Sequence, residues 1–440
     1  MGKIFSDFLK GNLFKGDKGV WMIYFFLCLI SLVEVYSASS TLTYKTGHHW
    51  TPMISQAGFI FAGLIVILLV HRIPCKWFML FPFVLLPVSV ILLSYTLFFG
   101  GEINETSRWI TLGPIRFQPS EFGKAALIMS VAVVLAKTQA EETVMVKGVQ
   151  KKVVGAIKGG HSLAFRIIVY MTLVVCGLIF PENFSTSVML ATVVFVMMII
   201  GHVPWDLILK TIVAVVAIGL VAVAMMMTLD KATLNALPGC KRLATGKGRI
   251  ERMLESKKEQ GCDSLDLAKY IKDENAQVTH AFMAVANSNI IGRGAGNSIE
   301  RDFLSHAESD FIFSIIVEEI GLFGAVFVIF LYIALLIRVG RIAQKCQRFF
   351  PAYLVLGFGI MMVLQAIVNM GVAVGLFPVT GQPLPLISRG GTSIIITSFY
   401  IGVILSVSRY AEKVSETTAT PAESVAKGET AEYYDDKNMI

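Results

Sequence analysis

Long apolar runs alternate with short polar segments along most of the chain. We count ten runs, each close to the ~20 residues that cross a ~30 Å bilayer core as a helix. They cover residues 21–38, 55–71, 77–99, 121–136, 164–181, 184–201, 207–228, 311–337, 351–376 and 391–408. The pattern predicts an all-α polytopic membrane protein of about ten transmembrane helices, which together occupy residues 21–408.

The composition leads to the same class of protein. Hydrophobic residues make up 55% of the 440-residue chain, and charged residues only 16%. Soluble domains carry about 25% charged residues, so the composition excludes a soluble protein with a single membrane anchor. The net charge of +7 comes largely from short loops, where basic residues typically contact an anionic membrane surface. We therefore expect no nucleic-acid partner.

The Lys and Arg residues of the short loops predict the orientation of the chain. With a cytoplasmic N-terminus at residues 1–20, the inner segments hold 19 of them and the short outer loops hold 4. Both termini are therefore predicted to be cytoplasmic. The basic cytoplasmic loop 137–163 is expected to lie on the membrane surface, and the tail 409–440, poor in apolar residues, to be disordered. Residues 229–310 form a large extracytoplasmic loop between helices 7 and 8.

Two of the six cysteines, Cys240 and Cys262, lie in this extracytoplasmic loop. In an oxidising compartment a disulfide between them would close a loop of about 22 residues and contribute ~3 kcal/mol of stability. Free thiols are the alternative, and the sequence leaves both open. The cysteine spacing matches no metal cluster.

An acidic residue, Asp310, stands where this polar loop meets the apolar eighth run. A carboxylate at the mouth of a membrane is costly to desolvate, which makes Asp310 a candidate functional residue. Glu318 and Glu319 lie about two turns further along the same predicted helix, and Glu34 lies in the first run. These three either pair with other groups structurally or line a polar interior.

A second group of polar residues precedes and opens the fourth run on the predicted outer side. Its members are Arg108, Trp109, Gln118, Ser120, Glu121 and Lys124. Ser120 is predicted to cap the helix, and Glu121 and Lys124 share one helix face at i,i+3. Two interpretations stay open: interfacial anchoring by Trp and Lys, or binding of a diphosphate and sugar hydroxyls.

Two glycine-containing segments complete the outer side. Residues 377–391 are rich in Pro and Gly and include Ser388 and Arg389. Such broken helix is tolerated at membrane depth only where it is buried in protein or lines a cavity, so we expect a cavity wall. The run Gly292-Arg293-Gly294-Ala295-Gly296 follows a candidate helix rather than a strand, which favours a flexible turn over a nucleotide loop.

Four motifs in order resemble the SEDS family (shape, elongation, division and sporulation), which includes FtsW and RodA. They are Tyr36 to Ser39, Arg108 to Lys124, Asp310 to Gly321, and Pro385 to Gly391. The resemblance runs from about residue 20 to 408. The start, Phe14 to Lys18, resembles the FtsW branch more than RodA.

This resemblance implies a peptidoglycan glycosyltransferase that polymerises lipid II at the outer face of the cytoplasmic membrane. The active site would face the periplasm, and the protein would work at the division septum. Its expected partners are a class B penicillin-binding protein and other divisome membrane proteins. In the family, the Asp that matches Asp310 is the residue tied to catalysis.

The expected chemistry fits a single carboxylate. The family converts an α-linked sugar diphosphate into a β-linked glycan, and inversion needs one general base, here Asp310. Arg108, Lys124 and Arg389, or a bound divalent cation, would stabilise the diphosphate, and the sequence requires no cofactor. Trp109, Gln118, Ser120, Glu121 and Ser388 are expected to contact substrate. A lipid II flippase and a non-catalytic divisome scaffold are the alternatives; the polar motifs gather on the outer side, whereas transport needs them along the spans.

Overall fold

The computed structural model describes residues 14–39, 50–99, 110–112, 115–139, 141–146, 149–154, 160–211, 213, 228, 276–304 and 307–419. The helices are α1 Lys18–Ala38, α2 Thr51–Val70, α3 Cys75–Phe78, α4 Phe81–Phe99, α5 Pro119–Gln139, α6 Gly160–Ile179, α7 Phe184–Ile200, α8 Ala276–Ala286, α9 Ile312–Lys345, α10 Phe349–Ala373 and α11 Gly391–Ala419, with a 3-10 turn at Glu300–Asp302. The strands are β1 Ile110–Leu112, β2 Ile115–Phe117, β3 Glu141–Val146 and β4 Val149–Val154. They form two small antiparallel hairpins, β1–β2 and β3–β4, between helices, so the predicted helical fold class is confirmed.

Most of the predicted membrane runs are helices in the structure. Within the described residues, eight helices are long and apolar enough to cross a membrane, and α7 is a shorter apolar helix. The seventh predicted run, 207–228, lies mostly outside the described residues, although residues 205–211 are helical at its start. Cys240, Cys262 and the rest of 229–275 also lie outside them.

Local sequence explains where several helices begin. The Asp17 carboxylate accepts a hydrogen bond from the backbone N–H of Val20 at 3.0 Å and so caps α1. Asn183 caps α7 in the same way through the N–H of Thr186. The prediction of Ser120 as an N-cap is wrong, because α5 begins one residue earlier at Pro119. Proline suits that first position because it has no N–H to leave unpaired.

Two segments predicted to be cytoplasmic contain secondary structure that the sequence analysis did not predict. The loop 137–163 contains the β3–β4 hairpin, paired from Glu141 with Val154 to Val146 with Val149. Its Val and Thr residues favour the strands, since β-branched residues favour extended backbone. At the other end of the chain, α11 continues past residue 408 to Ala419, so the first part of the predicted tail is helical.

The helix α5 lies at the centre of the bundle. In its apolar window 89% of the residues are buried, compared with 67% for α10 and 72% for α11. It packs mainly against α4, α10 and α6. A Cβ on Gly357 of α10 would lie 2.6 Å from Ile128 Cγ2 of α5, so a small residue allows this close helix contact. The first turn of α5 is therefore surrounded by protein.

The helix α9 is interrupted at Gly321, which has φ 77° and ψ −166°. Residues 289–294 of the preceding loop occupy this break. The N–H groups of Arg293 and Gly294 donate to the carbonyls of Glu318 and Glu319 at 3.1 and 2.8 Å. A Cβ on Gly321 would lie 2.6 Å from the Asn289 carbonyl oxygen, so the approach requires glycine. The glycine-rich segment, predicted as a flexible turn, is thus fixed to α9 by backbone hydrogen bonds.

Candidate functional site

Asp310 lies two residues before the start of α9 and is half-buried. The Ser309 hydroxyl donates to its Oδ1 at 3.0 Å. Its backbone carbonyl accepts a hydrogen bond from the Asn369 side-chain amide of α10 at 2.9 Å. The backbone of Asp310 is therefore fixed to the bundle, and the residue as a whole is half-buried.

The residues before Asp310 are clamped to the loop that precedes α11. The Ser388 hydroxyl donates to the Ser309 carbonyl at 2.5 Å, and the Arg389 N–H donates to the Glu308 carbonyl at 2.8 Å. The Arg389 guanidinium also lies 3.7 Å from the Glu308 carboxylate. The structure thus brings Ser388 and Arg389 beside the segment that carries Asp310.

This second loop is itself held by α1 and α9. The Ser31 hydroxyl of α1 donates to the Ile387 carbonyl at 2.7 Å, and the Tyr332 hydroxyl of α9 donates to the Pro385 carbonyl at 2.5 Å. Leu386, between these two carbonyls, is buried with φ 66°. Left-handed backbone costs a non-glycine residue ~1–2 kcal/mol, so the surrounding contacts must enforce it. The buried part of the loop is thus fixed by its neighbours, and the predicted cavity wall stays a prediction.

Lys124 and Glu121 form a buried ion pair at the start of α5. The Lys124 ammonium lies 2.6 Å from Glu121 Oε1, and its side chain is 0% exposed. It also donates to Gln365 Oε1 at 3.2 Å. The Gln365 amide in turn donates to the Pro383 carbonyl at 2.9 Å. Lys124 is therefore enclosed by protein groups, and its contacts lead to the same loop that holds Asp310.

Two residues of α10 that the sequence analysis missed, Gln365 and Asn369, join these parts. They stand at i,i+4 on one helix face, where side chains one turn apart are neighbours. Asn369 also donates to the Gln382 carbonyl at 2.8 Å, and Gln382 donates to the Thr186 hydroxyl at 2.7 Å. The sequence does indicate these two residues: they are amides one turn apart in an apolar run, where polar groups need partners.

The remaining predicted site residues are placed less centrally. Gln118 is half-buried just before α5. Ser120 Oγ and Glu121 Oε2 are buried and, within the described part of the chain, accept or donate no hydrogen bond. Arg108 and Trp109 lie outside the described residues. Among the residues that the structure describes, no three His, Cys, Asp or Glu side chains gather as a metal site, and the divalent cation stays a prediction.

Glu318 and Glu319 are fully buried and serve a different purpose from Asp310. Glu318 accepts hydrogen bonds from the Ser298 hydroxyl at 2.5 Å and from the Ile299 N–H at 3.0 Å. Glu319 accepts from the Gly296 N–H at 2.9 Å and from the Ser37 hydroxyl. These contacts anchor the loop before Asp310 to α9, in line with the structural interpretation. Glu34 is also fully buried, and neither of its carboxylate oxygens has a hydrogen-bond partner within the described ranges.

Comparison with known proteins places the chain in a family. The pattern of the family described as cell cycle protein (FtsW, RodA and SpoVE) matches residues 18–413. A protein of Halomonas elongata, named probable peptidoglycan glycosyltransferase FtsW, is 30% identical over 389 residues, which cover 87% of each chain. A Bacillus subtilis protein of the same name is 29% identical over 96% of this chain and 97% of its own.

Solved structures share the fold. One chain, from a study of how a peptidoglycan synthase complex coordinates polymerization and crosslinking, has a TM-score of 0.67 at 24% identity, covering 90% of this chain and 98% of its own. The rod shape determining protein RodA of Thermus thermophilus has a TM-score of 0.57 at 23% identity, covering 90% and 97%. The resemblance drawn from the four motifs is confirmed. The chain belongs to the cell cycle protein family of FtsW, RodA and SpoVE.

Proposed function

We propose that this multi-pass membrane protein is a peptidoglycan glycosyltransferase that polymerises lipid II into glycan strands. One observation carries the proposal: Asp310, a half-buried carboxylate fixed by its backbone, lies two residues after Glu308, whose carboxylate is 3.7 Å from the partly exposed Arg389 guanidinium. The relatives named as peptidoglycan glycosyltransferases, which match nearly the whole chain, support the same activity.

In the proposed reaction Asp310 is the general base. Its carboxylate accepts the proton of the acceptor sugar hydroxyl, whose oxygen forms a bond to the anomeric carbon of the donor sugar. The bond between that carbon and the diphosphate breaks on the opposite face, and the lipid diphosphate leaves with the electron pair. A single displacement inverts the configuration, so one carboxylate suffices.

The leaving diphosphate needs positive charge more than it needs an acid. Arg389 suits this role because 31% of its side chain is exposed and a guanidinium can bind a phosphate with two parallel hydrogen bonds. Lys124 is fully buried against Glu121, so we assign these two a positioning role through Gln365 and the loop at Pro383. Arg108, Trp109, Gln118, Ser120 and Ser388 stay proposed substrate contacts, as does a divalent cation.

We place the site at the periplasmic face and the protein at the division septum. The Lys and Arg distribution supports this orientation, since the site lies at the ends of helices predicted to be outside. A class B penicillin-binding protein is the proposed partner, supported by the likeness to a chain from a complex that polymerises and crosslinks peptidoglycan. Other divisome membrane proteins are proposed to assemble with this pair.

The test is glycan-strand formation from fluorescent lipid II by the purified protein, with and without the penicillin-binding protein, whose transpeptidase is blocked. Asp310→Asn is run beside the wild type and beside Asp206→Asn, a change of an exposed aspartate. We expect polymer from the wild type and Asp206→Asn and none from Asp310→Asn. Equal polymer from all three would remove Asp310 as the base. If none of the three forms polymer but lipid II crosses the bilayer, the flippase would be favoured. If the protein shows neither polymerisation nor transport, the scaffold would be favoured.

A further inference from the structure

A cavity of about 280 Å³ opens at the opposite end of the bundle from Asp310. It lies where the last turns of α9 and α11 meet the start of α1. Along α9, the 28 positions from Asp310 to Arg338 correspond to roughly 40 Å at 1.5 Å per residue. Its polar and charged lining consists of Asp17, Arg338, Arg341, Lys345, Ser408 and Glu412. None of these belongs to the site proposed for sugar transfer.

The three basic residues share one face of α9, at spacings of three, four and seven. Arg338 has a structural partner, since its guanidinium lies 3.6 Å from the Asp17 carboxylate. It also passes so close to Gly19 that a Cβ there would be 2.6 Å from its Nε. Arg341 and Lys345 are exposed, with Glu412 as the second acid of the cavity. Three cations facing two carboxylates leave the cavity positively charged.

The position of these cations matches the headgroup layer of a membrane. The predicted eighth span ends at residue 337, and Arg338 follows directly. Long basic side chains at this level keep their stems in the apolar layer and their charges among lipid headgroups. The N-terminus of α1 and the ends of α9 and α11 are all predicted to be cytoplasmic. The inner leaflet would therefore present its anionic headgroups to these cations.

We propose that this cavity binds a phosphate ester, specifically the headgroup of an anionic phospholipid of the inner leaflet. Arg341 would bind the phosphate through its planar fork, and Lys345 would add a point charge. The volume is just below the 300–1,000 Å³ of sites that enclose whole small molecules, which suits a headgroup whose acyl chains stay outside. A bound headgroup stabilises the folded protein, because the cavity that holds it exists only in the folded state.

The test measures the melting temperature of the full-length protein in a zwitterionic detergent. Phosphatidylglycerol, phosphatidylcholine or inorganic phosphate is added in turn. The cavity variant is Arg341→Gln with Lys345→Gln, and Arg338 is kept because it pairs with Asp17. The matched control, Lys76→Gln with Arg348→Gln, removes the same charge from predicted inner loops outside the cavity. If the double variant does not fold, Arg341→Gln alone takes its place.

A ligand at 100 times its dissociation constant stabilises the folded state by about 2.7 kcal/mol, so a shift of several degrees is measurable. We expect phosphatidylglycerol to raise the melting temperature of the wild type and the control by several degrees more than phosphatidylcholine. The cavity variant should lose at least half of that difference. Inorganic phosphate that reproduces the full shift would support the phosphate site but overturn the lipid assignment. Equal shifts with both lipids, or a full shift in the cavity variant, would overturn the proposal.

Discussion

Carboxylates just before and within the first part of α9 lie in two contrasting environments. Asp310, just before its first turn, is half-buried, and the Ser309 hydroxyl donates to it. Glu318 and Glu319, two turns further on, are fully buried and each accepts hydrogen bonds from several backbone and hydroxyl donors. A saturated, enclosed carboxylate holds structure together and has no room for a substrate. Burial therefore distinguishes Asp310, the proposed base, from the two glutamates further along the helix.

Glu318→Ala should produce the largest loss of stability. The substitution leaves the buried Ser298 hydroxyl and the partly buried Ile299 N–H without their acceptor, and an unsatisfied buried group costs ~1–3 kcal/mol. We expect destabilisation of about 3 kcal/mol or more, measured as the shift in denaturant-induced unfolding. Asp302→Ala, whose side chain is 57% exposed, is the control and should leave the unfolding midpoint nearly unchanged. If Glu318→Ala and Asp302→Ala were equally destabilised, Glu318 would contribute no more to stability than an exposed acid does.

Gly321→Ala tests the close backbone contact between the break in α9 and residues 289–294. At φ 77° a side chain is strained, and its Cβ would collide with the Asn289 carbonyl. We expect destabilisation of about 2 kcal/mol and faster proteolysis of the loop before Asp310. Gly340→Ala in the same helix is the control: its Cβ would meet open space, and alanine is the better helix former. A similarly stable Gly321→Ala protein would show that the loop is not fixed at the break in α9.

Features set by neighbouring residues could be predicted from the sequence, whereas features set by contacts far apart in the chain could not. Apolar runs identified most of the membrane helices, and the polar-to-apolar boundary identified Asp310, because both signals are local. The break at Gly321 was not predicted, since glycine alone also occurs in intact membrane helices. Lys124 was expected to reach a ligand, but its burial follows from the packing of α4, α6 and α10 around α5. Such enclosure depends on contacts far apart in the chain.

Asn369→Leu should reduce the reaction rate with a smaller effect on stability. It removes the hydrogen bonds to the carbonyls of Asp310 and Gln382, so the base is held less firmly. We expect kcat to fall about tenfold with little change in KM, because misplacing a catalytic group raises the barrier without weakening binding. Asn297→Leu, which removes an exposed amide hydrogen bond to the Arg293 carbonyl, is the control. An unchanged kcat in Asn369→Leu would exclude this positioning role.

The smallest effect is expected from Arg389→Gln. The Arg389–Glu308 pair is 3.7 Å long and Arg389 is partly exposed, so losing the pair should cost about 1 kcal/mol and lower the melting temperature only slightly. Loss of a diphosphate contact should instead raise KM for lipid II several-fold, measured from initial rates at varied substrate. Arg293→Gln is closely matched, since Arg293 is also 31% exposed and lies 3.9 Å from Glu318. A KM increase shared by both variants would point to general electrostatic attraction rather than to a contact by Arg389.

The different roles proposed for Asp310 and Glu318 are tested by preparing Asp310→Asn and Glu318→Gln side by side and measuring lipid II polymerisation and melting temperature for each. Asp310→Asn should melt like the wild type and lose about 100-fold or more in rate, the contribution expected of a general base. Glu318→Gln should melt at a clearly lower temperature and, below that temperature, retain polymerisation. If a folded Asp310→Asn protein polymerised lipid II at the wild-type rate, Asp310 would not be the general base.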